Sequence, residues 1–175
     1  MTIRRSSRKV SSKHLEEAAR RLLEDSTLCA LATASQQGRA HVNAMYFAWD
    51  AQFRIFWISD PQAQHSRNLG RNRSAAVTVY DSSQRWGGSD RGIQLFGTAG
   101  PLGARAAREA EKVYARRFPA YDRAELASYA FYGFRPSRAK LFDEEALGSG
   151  AFVTARVRPG GRLEWVKTEL YSGAA

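Results

Sequence analysis

The sequence predicts a mainly β (α+β) chain, a six- to seven-stranded antiparallel barrel with flanking helices. Three observations lead there. Short runs with apolar alternation recur between residues 28 and 99, each closed by a turn signal. Helical periodicity is confined to segments before and after those runs, with one short stretch among them. So many short strands would also leave unpaired edges unless the sheet closed on itself.

The chain has 175 residues, about one domain. A single domain is expected over residues 13–175, preceded by a basic tail over 1–12 that is expected to be disordered. Hydrophobic residues make up 43% and charged residues 25%, which fits a folded soluble protein rather than a disordered or membrane-spanning one. The apolar stretches are short and interrupted, so no transmembrane span is expected. The basic start runs into an amphipathic helix and lacks the apolar core of a signal peptide, so the expected location is cytoplasmic. A single cysteine, Cys29, excludes a disulfide framework and a cysteine-based metal cluster. The net charge of +10 favours anionic partners in general. However, Arg4, Arg5, Arg8 and Lys9 account for much of it, and no basic run interleaved with aromatics points to nucleic acid.

In chain order, Ser12 is expected to cap a helix to about residue 24. Leu15, Ala18, Ala19, Leu22 and Leu23 form its apolar face, and Glu16 and Glu17 sit in its first turn. Strands are predicted at 28–35, 40–49 and 53–59. The last alternates Phe53, Ile55 and Trp57 against Arg54, Phe56 and Ile58. Two apolar faces imply burial on both sides, as in a barrel wall against a subunit partner. A short helix is predicted over 63–71 and strands over 75–81 and 91–99, with a polar loop carrying Trp86 between those strands. A helix is expected over 103–117, stopped by Pro119, and a second one starting at Asp122 with Glu125 as its capping partner. A strand at 138–143 and a hairpin of 152–157 and 163–168 around Pro159-Gly160-Gly161 complete the chain.

The chemistry concentrates where the third strand gives way to a helix. There His65, Ser66 and Arg67 fall in the first turns of a helix, beside unpaired backbone N–H groups and a partial positive charge. A hydroxyl, a fixed cation and a titratable imidazole together suit a phosphate, although an exposed helix start with ordinary polar residues would have the same composition. Three scattered histidines, His14, His41 and His65, make no metal site, and His14 reads as a helix-surface residue. Cys29 lies in an apolar strand and reads as inert core. Neither a G-x-G-x-x-G nor a P-loop pattern occurs.

Several segments in order resemble the FMN-binding split-barrel flavoproteins related to pyridoxamine 5'-phosphate oxidase. They are the opening CALATASQQGRAHVNAMYF, Trp57-Ile58-Ser59, His65-Ser66-Arg67-Asn68-Leu69, Asn72-Arg73-Ser74-Ala75 and GIQLFGTA. The resemblance implies a split barrel and an FMN-dependent oxidoreductase that works on a small-molecule substrate as a homodimer, with cofactor between the subunits. It implies that His41, Asn43, Ala44, Met45 and Tyr46 face the ring and ribityl chain, with Trp57, Ile58 and Ser59 alongside. It assigns the phosphate to His65, Ser66 and Arg67, and gives Gln94 a reach to the ring. Trp86, Tyr114 and Arg117 are candidates for the substrate side. Relatives of this fold that use a deazaflavin or bind haem give the alternative ligands, and a non-enzymatic flavin- or nucleic-acid-binding role is the other reading. The departures are Gln64-His65 where the oxidase proper has an arginine–lysine pair, and a C-terminal segment with Trp165 that does not match. The resemblance therefore does not extend to vitamin B6 oxidation, and no catalytic acid or base stands out.

Overall fold

A computed structural model describes residues 2–172, so Met1 and the last residues of the predicted domain, 173–175, lie outside the described residues. Ten strands and four α-helices occur among the described residues, and every strand pair with a defined register is antiparallel. The mainly β class is therefore as predicted, with more strands than the six or seven expected. The chain gathers into two compact units, each discontinuous in sequence.

The first unit takes the stretches up to Ser26, Thr78–Leu95 and from Ser137 onward. Strand β1 (Thr2–Ser6) pairs with β10 (Leu163–Ser172), β10 with β9 (Ala151–Val157), and β9 with the later half of β8 (Ala130–Asp143). The expected disordered tail is thus corrected. Thr2–Ser6 is sheet because the backbone groups of β10 pair with it along its whole length, from Thr2↔Ser172 to Ser6↔Thr168, and Val10 is buried. Helix α1 (Ser12–Glu24) lies on β10 and buries the five predicted apolar residues. Each of Leu15, Leu22 and Leu23 contributes about 2 kcal/mol of burial. Ser11, not Ser12, is the N-cap, because its extended backbone aims Oγ at the His14 N–H. No acidic residue occupies the first turn, which ends before Glu16. Glu16 instead accepts the Leu163 N–H at 3.1 Å.

Asp143, fully buried, ties this unit together. Its carboxylate receives Arg21 at 2.7 Å, stands 4.0 Å from Arg91 Nε, and caps α4 (Glu144–Leu147) through the Ala146 N–H. The α4 turn is absent from the sequence-based expectation.

The second unit comprises Thr27–Val77 and Phe96–Pro136. Its hairpin of β2 (Leu28–Ala34) and β3 (Ala40–Tyr46) is in register from Leu28↔Tyr46 to Ala34↔Ala40. The second predicted strand, 40–49, breaks at Phe47, whose N–H turns to the Thr27 carbonyl, and resumes as β4 (Ala48–Trp49). The Asp50 carboxylate gathers the Gln52 and Arg54 N–H groups into a tight turn. Phe53 sits there at φ 60, a left-handed conformation costing about 1 kcal/mol for a residue with a side chain. The following strand β5 (Ile55–Ser59) is consequently shorter than predicted. It pairs with β4 and with the first half of β8.

Burial of β5 on both faces is achieved within one chain. Phe56 packs with Ala48, Ala110, Tyr114 and Phe131 under α3 (Ala104–Arg117), so a helix, rather than a subunit partner, covers the second face. The second helix expected from Asp122 does not form. Asp122 closes a local turn onto the Ala124 N–H, and β8 begins at Ala130, eight residues before the predicted strand, because Ala130 to Phe134 pair with β5. Strands β6 (Ser74–Tyr80) and β7 (Arg91–Pro101) contribute residues to both units. No helix among the described residues is long and apolar enough to cross a membrane.

Candidate functional site

The strand-to-helix junction of the second unit forms as the sequence predicts, with α2 running Gln64–Arg71. Asp60 makes the corner. Its carboxylate takes the Gln62 N–H at 2.7 Å, and its carbonyl takes the Ala63 N–H at 3.0 Å and the Ser66 hydroxyl at 2.8 Å. The N-cap is Ala63, extended and without a capping side chain. Alanine is among the poorest residues at this position, because it offers no acceptor to the first N–H groups of the helix. An anion is the natural complement of such an end.

The three predicted donors divide. Arg67 is exposed and folds back over the helix start, donating to the Gln62 carbonyl and to Gln64 Oε1. Ser66 is buried and spent on Asp60. His65 is buried too, and its Nε2 meets Ser59 Oγ at 2.8 Å. The His41 ring stacks with that of His65 at 6.4 Å and 13°. The structure therefore brings His41, Ser59 and His65 together, with Ser66 and Arg67 on the same turn. It adds a pair the sequence reading missed: buried Asn68 donates to Thr33 at 3.1 Å and accepts from Gln64 at 2.9 Å. The spacing of three between His65 and Asn68, which puts both on one helix face, is the signal that could have found it.

Burial lowers the His65 pKa below its ordinary 6.5, with a smaller contribution from His41. The folded state favours neutral His65, so it binds fewer protons than the unfolded chain as pH falls through that ordinary value. Stability is expected to decline below about pH 6.5 and to level off once the folded-state imidazole itself is protonated. Thermal melts from neutral to mildly acid pH check this, and His65→Gln should flatten the dependence in that window.

Strand β3 offers the other half of the site. Cys29, Leu31, Thr33 and Met45 face inward and are buried. By alternation, the opposite face carries Leu28, Ala30, Ala32 and Ala34 beside Ala40, Val42, Ala44 and Tyr46. It is apolar apart from the Tyr46 hydroxyl, with Val42 at 65% and Tyr46 at 59% exposure. Asn43 is half-buried on the inward side. Burial pushes the Cys29 thiol up to about 12. Trp57 is buried and stacked on Tyr132 at 5.6 Å, its indole N–H without an acceptor among the described residues, and Ile58 is half-buried on the α3 side.

The remaining candidates divide between the two units. Tyr114 is buried in the α3 cluster against Phe118, Tyr121 and Phe131, and the Arg117 guanidinium lies 4.9 Å over the Phe47 ring. Both are near the Tyr46 end of β3, where Tyr46 meets Phe118 edge-on at 5.8 Å. In the first unit, Gln94 is half-buried on β7 and Trp86 is fully exposed in the loop before it. His14 is exposed on α1 with its ring at the Ala146 carbonyl.

A family model described as pyridoxamine 5'-phosphate oxidase matches residues 15–143. None of the curated proteins matches the chain in sequence. Among solved structures, the chain is similar to a heme binding protein from Mycobacterium smegmatis at 14% identity and TM-score 0.63, covering 86% of this chain and 60% of that one. It is similar to a Clostridium acetobutylicum protein related to general stress protein 26 of B. subtilis, of the pyridoxinephosphate oxidase family. There the identity is 17% and the TM-score 0.61, over 85% of this chain and 97% of that one. An F420 reductase is similar at 24% identity and TM-score 0.53, over 68% and 93%. At these identities the likeness is one of fold.

Proposed function

Because the chain belongs to the pyridoxamine 5'-phosphate oxidase family, we propose that it is an FMN-dependent oxidoreductase acting on a small molecule as a homodimer. The observation that carries this reading is the start of α2, where Ala63 leaves the helix without a capping side chain and Arg67 places a cation beside it. That donor set suits a phosphate dianion: backbone N–H groups supply directional bonds and the guanidinium supplies charge. Ser59 and Asn68 hold the buried His65 and Thr33 side chains in fixed positions behind the junction. The apolar outer face of β2 and β3, with exposed Val42 and Tyr46, is the surface a second subunit would cover, and that cover would keep water from the cofactor ring. Bound FMN supplies the redox chemistry, and the chain contributes binding, orientation and water exclusion. Cytoplasmic location belongs to the same reading.

Mass spectrometry of the small molecule released from purified protein tests the assignment directly, and FMN is the expected species. Arg67→Glu is expected to lower FMN retention about 10- to 100-fold, the value of one charge-assisted contact turned repulsive. Arg71→Glu, at the other end of the same helix, should leave retention unchanged. Equal retention in both variants would remove the phosphate assignment.

A second reading, haem in place of flavin, is favoured by one observation: the stacked pair of His41 and His65, the latter kept neutral by burial and so competent as a ligand. A Soret band in place of flavin absorbance in the purified protein would select it.

A further inference from the structure

A groove of about 390 Å³ runs along the outer side of the second unit, between α3 and strands β5 and β8. Its volume falls within the range of small-molecule sites, roughly 300–1,000 Å³. It lies on the other face of β5 from Ser59 and Trp57, because Phe56 lines it and successive residues of a strand point to opposite sides.

The lining has two parts. The floor is apolar: Leu102, Ala106 and Val113 are accessible, with the buried Phe56 and Ala110 beneath them. Gly133 keeps the floor open to Leu102, since a Cβ there would meet Leu102 Cδ2 at 2.8 Å. The rim is basic, with Arg54, Arg105 and Arg135 against one acid, Glu109. These charges are not equivalent. Arg54 is held by Asp50, with Nε and a terminal nitrogen at 2.6 and 2.5 Å from one carboxylate oxygen. Glu109 pairs with Lys112 at 3.3 Å. Arg105 and Arg135 are exposed and have no ion-pair partner among the described residues. An apolar trough edged by two uncompensated guanidinium groups is complementary to a molecule with an apolar body and one anionic head.

We propose that this groove is a binding site for small anionic amphiphiles, carboxylates with an extended hydrocarbon body, separate from the cofactor site. The body lies on Leu102, Ala106 and Val113, and the head meets Arg105 and Arg135. The proposal does not depend on which cofactor the family site holds.

The test is calorimetric titration of the full-length protein, as purified, with dodecanoate below its micelle-forming concentration. Dodecanol and dodecyltrimethylammonium serve as probes of the same length, one neutral and one cationic. Saturable binding of dodecanoate is expected, at least about tenfold tighter than dodecanol, since a guanidinium–carboxylate contact is worth about 1.5–3 kcal/mol. Arg105→Glu/Arg135→Glu should remove that tenfold preference and favour the ammonium probe. Ala106→Phe, at an exposed helix position lining the trough, should weaken dodecanoate at least tenfold while leaving cofactor content and melting temperature unchanged. Equal binding of dodecanol and dodecanoate, or full affinity in the Ala106→Phe protein, would overturn the proposal.

Discussion

Alanine at Gly97 is expected to destabilise the protein by at least about 3 kcal/mol, the upper range for overpacking. Gly97 lies in β7, where a Cβ would stand 2.0 Å from the Arg135 carbonyl oxygen, 2.9 Å from its carbon and 2.9 Å from Pro136 Cα. All three atoms are backbone, so no rotamer change relieves the clash. The strands must separate or the ladder must bend. Gly70 provides the contrast. It sits in α2, where an added Cβ would meet nothing within 4 Å, so Gly70→Ala should stabilise by about 0.5–1 kcal/mol through helix propensity alone. Urea denaturation of the two variants should move the midpoint in opposite directions. A near-neutral Gly97→Ala would mean that the β7–β8 approach is looser than these distances.

Arg21→Met is expected to cost about 3 kcal/mol, by leaving a buried carboxylate short of its principal cation. Asp143 is fully buried, and Arg21 reaches it at 2.7 Å while still 47% exposed itself. Its hydrogen bond to Asp143 holds the Arg21 guanidinium above its ordinary range. Methionine preserves the apolar stem, so the loss reports charge and hydrogen bonding rather than packing. Arg91, 4.0 Å away, and the Ala146 N–H retain part of the carboxylate's solvation, which keeps the effect at the lower end for broken buried pairs. Arg21→Met/Asp143→Leu should recover much of the loss, because an apolar pair leaves no stranded charge. Equilibrium unfolding of the two single variants and the double variant measures the coupling.

The elements readable from sequence are those set by local periodicity. Leu15 through Leu23 fix α1 because a helix needs only its own spacing, and the Pro159-Gly160-Gly161 turn fixes the last hairpin for a similar reason. What escapes is the consequence of remote pairing. Thr2–Ser6 looks like a charged tail until β10, more than 160 residues later, presents its edge. The Asp122–Glu125 pattern reads as a helix start, yet the pairing of Ala130 to Phe134 with β5 leaves the chain no room to continue one. The same distinction holds at the site. The helix start and its polar residues are legible, whereas the division of labour among them is not. Nothing local distinguishes Ser66, spent on Asp60, from Arg67, left at the surface.

Cys29 has a practical corollary. It is the chain's sole sulfhydryl, shut inside the β2 side of the hairpin and held protonated well past neutrality. Maleimides attack thiolates, so they find no reactive native cysteine in the folded protein. A cysteine introduced at the surface, at Ser82 for instance, becomes the single addressable label, ready for dye or spin-probe distance measurements without first removing the native one.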